Sequence, residues 1–141
     1  MPIAPPAGRV HAVRGAVVDV RFDTGDLPAL KDALLVDWDM PTPLVLEVQS
    51  HLDLQTVRAV ALQATAGLAR GVAVDCAGGP ITVPVGKAFL GRLLDVTGAV
   101  RDLGGALPND TPRRAIHAAP PPLSEQSTTT EIFETGSKVI D

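Results

Sequence analysis

Three observations predict a mainly β fold built around a small, closed or nearly closed barrel. Apolar and polar residues alternate with period two in the first third of the chain. The alternating runs are short and are separated by turn-forming residues. Glycine and proline number 13 each, which favours strands and turns over long helices. Closure into a barrel would also remove the exposed edges of an isolated sheet. The barrel is expected at roughly residues 8–80, with ends good to ~4 residues.

The elements follow in order. Residues 1–7 carry Pro2, Pro5 and Pro6 with no apolar run, and read as a disordered tail rather than a signal or transit peptide. Gly8–Arg14 and Ala16–Phe22 are strand candidates, with Gly15 placed for a tight turn or bulge. In the second run Val18, Val20 and Phe22 share one face, and Val17, Asp19 and Arg21 share the other. Leu44, Leu46 and Val48 likewise oppose Val45, Glu47 and Gln49. Further strands are expected at Leu34–Trp38, Thr56–Leu62 and Val72–Cys76. Turns are expected at Thr24-Gly25-Asp26, Pro41-Thr42-Pro43, Ala66-Gly67 and Gly78-Gly79-Pro80.

The pattern changes after Pro80. Val83-Pro84-Val85-Gly86 is extended and then turns, and Ala88–Leu94 has room for one or two helical turns. Gly98, Gly104, Gly105, Pro108 and Pro112 break the chain repeatedly, and Pro120-Pro121-Pro122 is stiff. Residues 81–141 hold too few regularly spaced apolar side chains to close a core alone. They read as a linker and the start of a further domain.

Composition narrows the function classes. The net charge is −4 and no basic block interrupts the sequence, so a nucleic-acid backbone would be repelled overall. A local basic face assembled by folding stays open. With one Trp, three Phe and no Tyr, base-stacking platforms are scarce. The single cysteine, Cys76, allows no internal disulfide. No apolar run is long enough to span a bilayer, so any link to a membrane must go through a partner.

Catalytic and ligand-binding patterns are not evident. A phosphate-binding loop needs G-x-x-x-x-G-K-[ST]. Gly86-Lys87 is followed by Ala88, and Ile81 stands where the first glycine belongs. His11, His51, His117 and Cys76 lack metal-ligand spacing, and read as surface or turn histidines and a buried thiol. Ser124, Ser127 and Ser137 sit in no nucleophile-elbow context. Asp19, Asp95 and Asp102 are single carboxylates near turns, suited to capping or ion pairing. The expected site list is empty for catalytic, cofactor and metal residues.

Several blocks nevertheless resemble one family. Gly8–Phe22 looks like the opening strands of the F-type ATP synthase beta subunit. Leu46-Glu47-Val48-Gln49-Ser50-His51-Leu52, then Val57-Arg58, then Gly67-Leu68-Ala69-Arg70-Gly71, resembles that subunit's next stretch in order and spacing. Val83–Ala88, Leu90-Gly91-Arg92, Asp95–Gly98 and Asp102 are similar to its linker into the nucleotide domain. Ile116-His117 and Glu134–Asp141 complete the series. The blocks at Leu46–Leu52 and Gly67–Gly71 favour beta over the related alpha subunit. Departures occur at Phe89, Asp95, Ser137 and Ala66, where the family usually carries Thr, Asn, Ile and an acidic residue. They suggest a divergent or alternative-operon branch.

The resemblance implies a six-stranded barrel, then the start of an α/β nucleotide-binding domain that stops before its phosphate loop. Such barrels pack in a ring that alternates with alpha subunits, and the rotor stalk is met by regions beyond Asp141. The full-length subunit would use Mg-ATP and ADP, coupling ATP synthesis or hydrolysis to ion transport by rotary catalysis. It would lie peripherally on the cytoplasmic face of the bacterial inner membrane, held there by its complex. Residues 1–141 would serve as an assembly collar without catalytic, cofactor or metal residues, binding no nucleic acid and inserting in no membrane. The competing expectations are a small-barrel nucleic-acid-binding module and a free-standing regulatory paralogue.

Overall fold

The computed structural model describes residues 7–23, 26–129 and 131–132. Six strands run as β1 (Ala7–Arg14), β2 (Val17–Phe22), β3 (Asp32–Val36), β4 (Leu44–His51), β5 (Thr56–Ala61) and β6 (Ala73–Pro80). They close into an antiparallel barrel of order β1-β2-β5-β4-β3-β6. Val18, Val20, Phe22, Leu44, Leu46 and Val48 all point inward, each no more than 1% exposed. Val10, Leu34, Val36, Val57, Ala59, Ala61 and Val74 join them in one core, so aliphatic side chains fill the interior around a single aromatic ring.

Two bulges refine the simple alternation. In β1, Val10 pairs with Val20 but Ala12 pairs with Asp19, leaving His11 as the extra residue. That shift carries Val13 to the inner face and Arg14 to the outer one, because one inserted residue reverses side-chain parity. In β4, Gln49 is extra between the pairs Val48–Ala59 and Ser50–Arg58.

The structure corrects four sequence expectations. Gly78-Gly79-Pro80 is not a turn, because β6 runs through it. Pairing with β3 slips between Cys76 and Pro80, and Gly78 takes φ 78 inside that bulge, a conformation glycine adopts freely. The strand expected at Leu34–Trp38 lies instead at Asp32–Val36. A tight turn in which the Asp32 amide donates to the Ala29 carbonyl at 3.1 Å starts it early. Ala88–Leu94 holds no α-helical turn, only a 3₁₀ turn at Lys87–Phe89. A strand not foreseen, β8 (Arg113–Ala115), pairs with β7 (Thr82–Pro84).

Gly15 makes the tight β1–β2 turn, with φ 59. The expected turn at Thr24-Gly25, the tail at residues 1–6 and the blocks at Phe133–Asp141 lie outside the described residues. Ala7 itself pairs with Asp75 at the start of β1.

The segment after the barrel is tied back to it. Ile81 is only 5% exposed. The Ile116 amide donates to the Ile81 carbonyl at 2.9 Å, extending the β7–β8 ladder. His117 Nε2 donates to Glu47 Oε2 of β4 at 2.8 Å. Between this segment and the outer faces of β3, β4 and β6 lies a cavity of about 420 Å³, lined by Ala33, Leu35, Val45, Ile81 and Arg113 among others.

Candidate functional site on the barrel wall

With the interior filled by apolar side chains, any chemistry falls to the outward positions. Asp19 faces outward from the middle of β2, yet is only 5% exposed. Arg58 stands directly opposite it on β5. Its Nε reaches Asp19 Oδ1 at 2.8 Å and its Nη2 reaches Oδ2 at 3.1 Å, a forked pair. Arg14, brought to this face by the β1 bulge, also donates to Asp19 Oδ2. The Arg58 hydrogen bonds, assisted by the charges of Arg58 and Arg14, outweigh burial and hold the Asp19 carboxyl below its ordinary range. Arg9 and Arg21 lie on the same wall, directly opposite each other across β1 and β2.

Beyond the barrel, two aspartates organise the loops. Asp102 takes both Arg92 Nε and Nη2 at 2.8 Å and the Leu93 amide at 2.8 Å. These bonds, Arg92 foremost, depress its pKa strongly. Burial would raise the pKa of Asp95. The Thr97 hydroxyl, the Ala99 and Thr97 amides and Arg101 outweigh that effect and hold it at about 2.

Asp95 and Asp102 therefore organise turns and pair with arginines, whereas Asp19 lies mid-strand rather than near a turn and serves ion pairing alone. The possible metal ligands are not gathered. His11 sits at the β1 bulge, His51 bonds the Pro28 carbonyl at 2.8 Å, His117 bonds Glu47, and Cys76 packs against the core. Burial, then the nearby Asp32 and Asp75, push the Cys76 thiol up to about 11, so it is a poor nucleophile. Among the described residues no three His, Cys, Asp or Glu side chains cluster as a metal site. Ser124 lies in a short 3₁₀ turn, Ser127 accepts from the Thr129 amide at 3.1 Å, and Ser137 lies outside the described residues.

Lys87 opens an exposed three-residue 3₁₀ turn after Gly86, with Ala88 where a hydroxyl would be needed. The donor set at this point does not fit a magnesium-bound nucleotide.

Sequence reasoning missed the wall. Its arginines belong to β1, β2 and β5, and only the pairing register brings them together. The one available signal was the period-two placement of Arg21 and Arg58 opposite inward-facing valines.

A family model described as the ATP synthase alpha/beta family, β-barrel domain, matches residues 10–78, which takes in nearly all of the six-stranded barrel. The chain belongs to this family. It is 60% identical over 136 residues to ATP synthase subunit beta 3 of Paraburkholderia xenovorans, covering 96% of this chain and 28% of that protein. It is 59% identical over 138 residues to ATP synthase subunit beta 2 of Gluconobacter oxydans, covering 98% and 28%. A third relative, ATP synthase subunit beta 2 of Burkholderia thailandensis, is 59% identical over 134 residues, covering 95% and 26%. The chain thus spans little more than a quarter of the length of these curated relatives. The barrel interior is filled by side chains, so the polar groups of its strands stand on the outside.

Proposed function

We propose that this chain is the amino-terminal barrel of the catalytic beta subunit of an F-type ATP synthase, and that it acts as a collar in ring assembly. The carrying observation is the coincidence of the closed six-stranded barrel with the family's barrel domain, together with 58–60% identity to beta subunits over nearly the whole chain. The barrel packs beside alpha subunits in an alternating hexameric ring. The full-length subunit binds Mg-ATP and ADP and meets the rotor stalk through regions beyond Asp141. It couples ATP synthesis or hydrolysis to ion transport, lying peripherally on the cytoplasmic face of the bacterial inner membrane. No helix among the described residues is long and apolar enough to cross a membrane, which accords with attachment through partners. The departures at Phe89, Asp95, Ser137 and Ala66 support a divergent or alternative-operon branch.

Sedimentation velocity tests this reading. The chain, mixed with the purified alpha subunit encoded in the same genome, is expected to form a faster-sedimenting complex without nucleotide. Two species that sediment independently at every concentration would refute it.

A further inference from the structure

An apolar patch stands on the outside of the barrel, where strands ordinarily turn polar groups to water. Leu34 and Val36 of β3 fill the interior, so Ala33 and Leu35 face outward. Val45 of β4 pairs directly with Leu35 and shares its face. Across the cavity of about 420 Å³ from this patch lies a strap made of β7 and β8, tied to β4 by the His117–Glu47 bond. Ile81 lines the cavity where β6 passes into β7. The β6 bulge leaves room as well: Gly78 and Gly79 line the cavity, and a Cβ on either would meet nothing within 4 Å. The volume falls within the range of small-ligand sites, roughly 300–1,000 Å³.

Among the described residues, Arg113 is the one charged side chain in the lining. Its Nε donates to Thr82 Oγ1 at 3.1 Å and its Nη2 to the Thr82 carbonyl at 2.7 Å, so Thr82 takes one edge of the guanidinium. The edge shared by Nη1 and Nη2 meets no carboxylate among the described residues. Such an edge matches a carboxylate bidentately. The neighbouring carboxylates lie outside the lining. Asp32 accepts the Ala29 amide at 3.0 Å, Glu47 is held by His117 and Gln49, and Asp95 is paired with Arg101. Asp75 stands opposite Leu35 on β6. No aromatic side chain among the described residues lines the cavity, so its walls suit an aliphatic chain rather than a flat ring.

We infer that this cavity binds a medium-chain aliphatic carboxylate, its tail against Ala33, Leu35 and Val45 and its head on the free edge of Arg113. An uncharged or cationic head would offer that edge no anion. The site goes beyond the collar reading and does not rest on it, because binding requires only the folded chain.

The test is calorimetric titration of the 141-residue chain with octanoate. A saturable one-site isotherm is expected, with octanol and octylamine binding about tenfold more weakly or worse. Arg113→Gln is expected to weaken octanoate about tenfold, while the Ile116 amide, bonded to the Ile81 carbonyl, keeps its rate of hydrogen exchange. A role confined to holding the strap would speed that exchange instead, and would overturn the assignment. Gly79 has no left-handed backbone and open space at its Cβ position, so Gly79→Leu should fill the cavity. Its unfolding midpoint is expected to hold and its octanoate binding to be lost. Binding undiminished in Gly79→Leu or in Arg113→Gln overturns the inference, as does equal binding of octanol or octylamine, or no saturable binding to the unmodified chain. Displacement of octanoate by the alpha subunit from the same genome would assign the cavity to a subunit contact and also overturns it. None of these outcomes alters the sedimentation result that decides the collar reading.

Discussion

Asp95 shows how much work one side chain does outside the barrel. Its Oδ1 accepts from the Thr97 amide, the Thr97 hydroxyl and the Ala99 amide at 2.9, 2.6 and 2.9 Å, and its Oδ2 accepts from Arg101 at 2.8 Å. The folded pKa of about 2 lies below the ordinary 3.8. The resulting stabilisation is fully present above pH 3.8 and is lost as pH falls through about 2. Asp95→Asn is expected to speed exchange of the Ala99 amide hydrogen about tenfold at pH 5. The difference from the unmodified chain should shrink as pH drops below about 3. Equal exchange at pH 5 would contradict this account. That Asp95 organises a turn was legible, because a carboxylate two residues before Thr97 and three before Gly98 suits a local loop. Asp19 was legible only in part. Ion pairing was expected, but its main partner, Arg58, is 39 residues away and reaches it only through the β2–β5 pairing.

At the scale of elements, period two placed the inward residues of β2 and β4 correctly because each strand buries one face and solvates the other. Alternation says nothing about inserted residues. Hence the bulges at His11 and Gln49 went unseen, and Gly78-Gly79-Pro80 read as a turn when it lies in a bulged strand. Strand β8 was equally hidden: Arg113-Arg114-Ala115 has no alternation, and its pairing with β7 joins Thr82 to Ala115, Val83 to Arg114 and Pro84 to Arg113, far apart in the sequence. The β1 bulge carries a prediction. Deleting His11 removes the inserted residue while Val10 and Val13 stay inward and Ala12 and Arg14 stay outward, so the pairs Ala12–Asp19 and Val13–Val18 are kept. Urea denaturation should therefore show a cooperative transition with stability within about 1 kcal/mol of the unmodified chain. Loss of the cooperative transition would show that the bulge itself is needed for the barrel to close.

On the scale of the whole molecule, one apolar core fills the barrel and the charged side chains of its strands stand outside it. The fold class was readable because its signals are local. The grouping of Arg9, Arg14, Arg21 and Arg58 was not, because they lie on three strands that come together only when the barrel closes. The exposed apolar side chains Leu90, Leu93, Val96 and Leu103 all lie past the residues that match the family's barrel domain. The proposed collar role is tested most directly by adding the chain to a reconstitution of alpha subunits with full-length beta subunit and measuring ATP hydrolysis. The chain should occupy barrel positions without supplying a phosphate loop, so activity should fall in proportion to the amount added. Activity that stays constant at a large molar excess of the chain, or rises because the chain itself hydrolyses ATP, would contradict it.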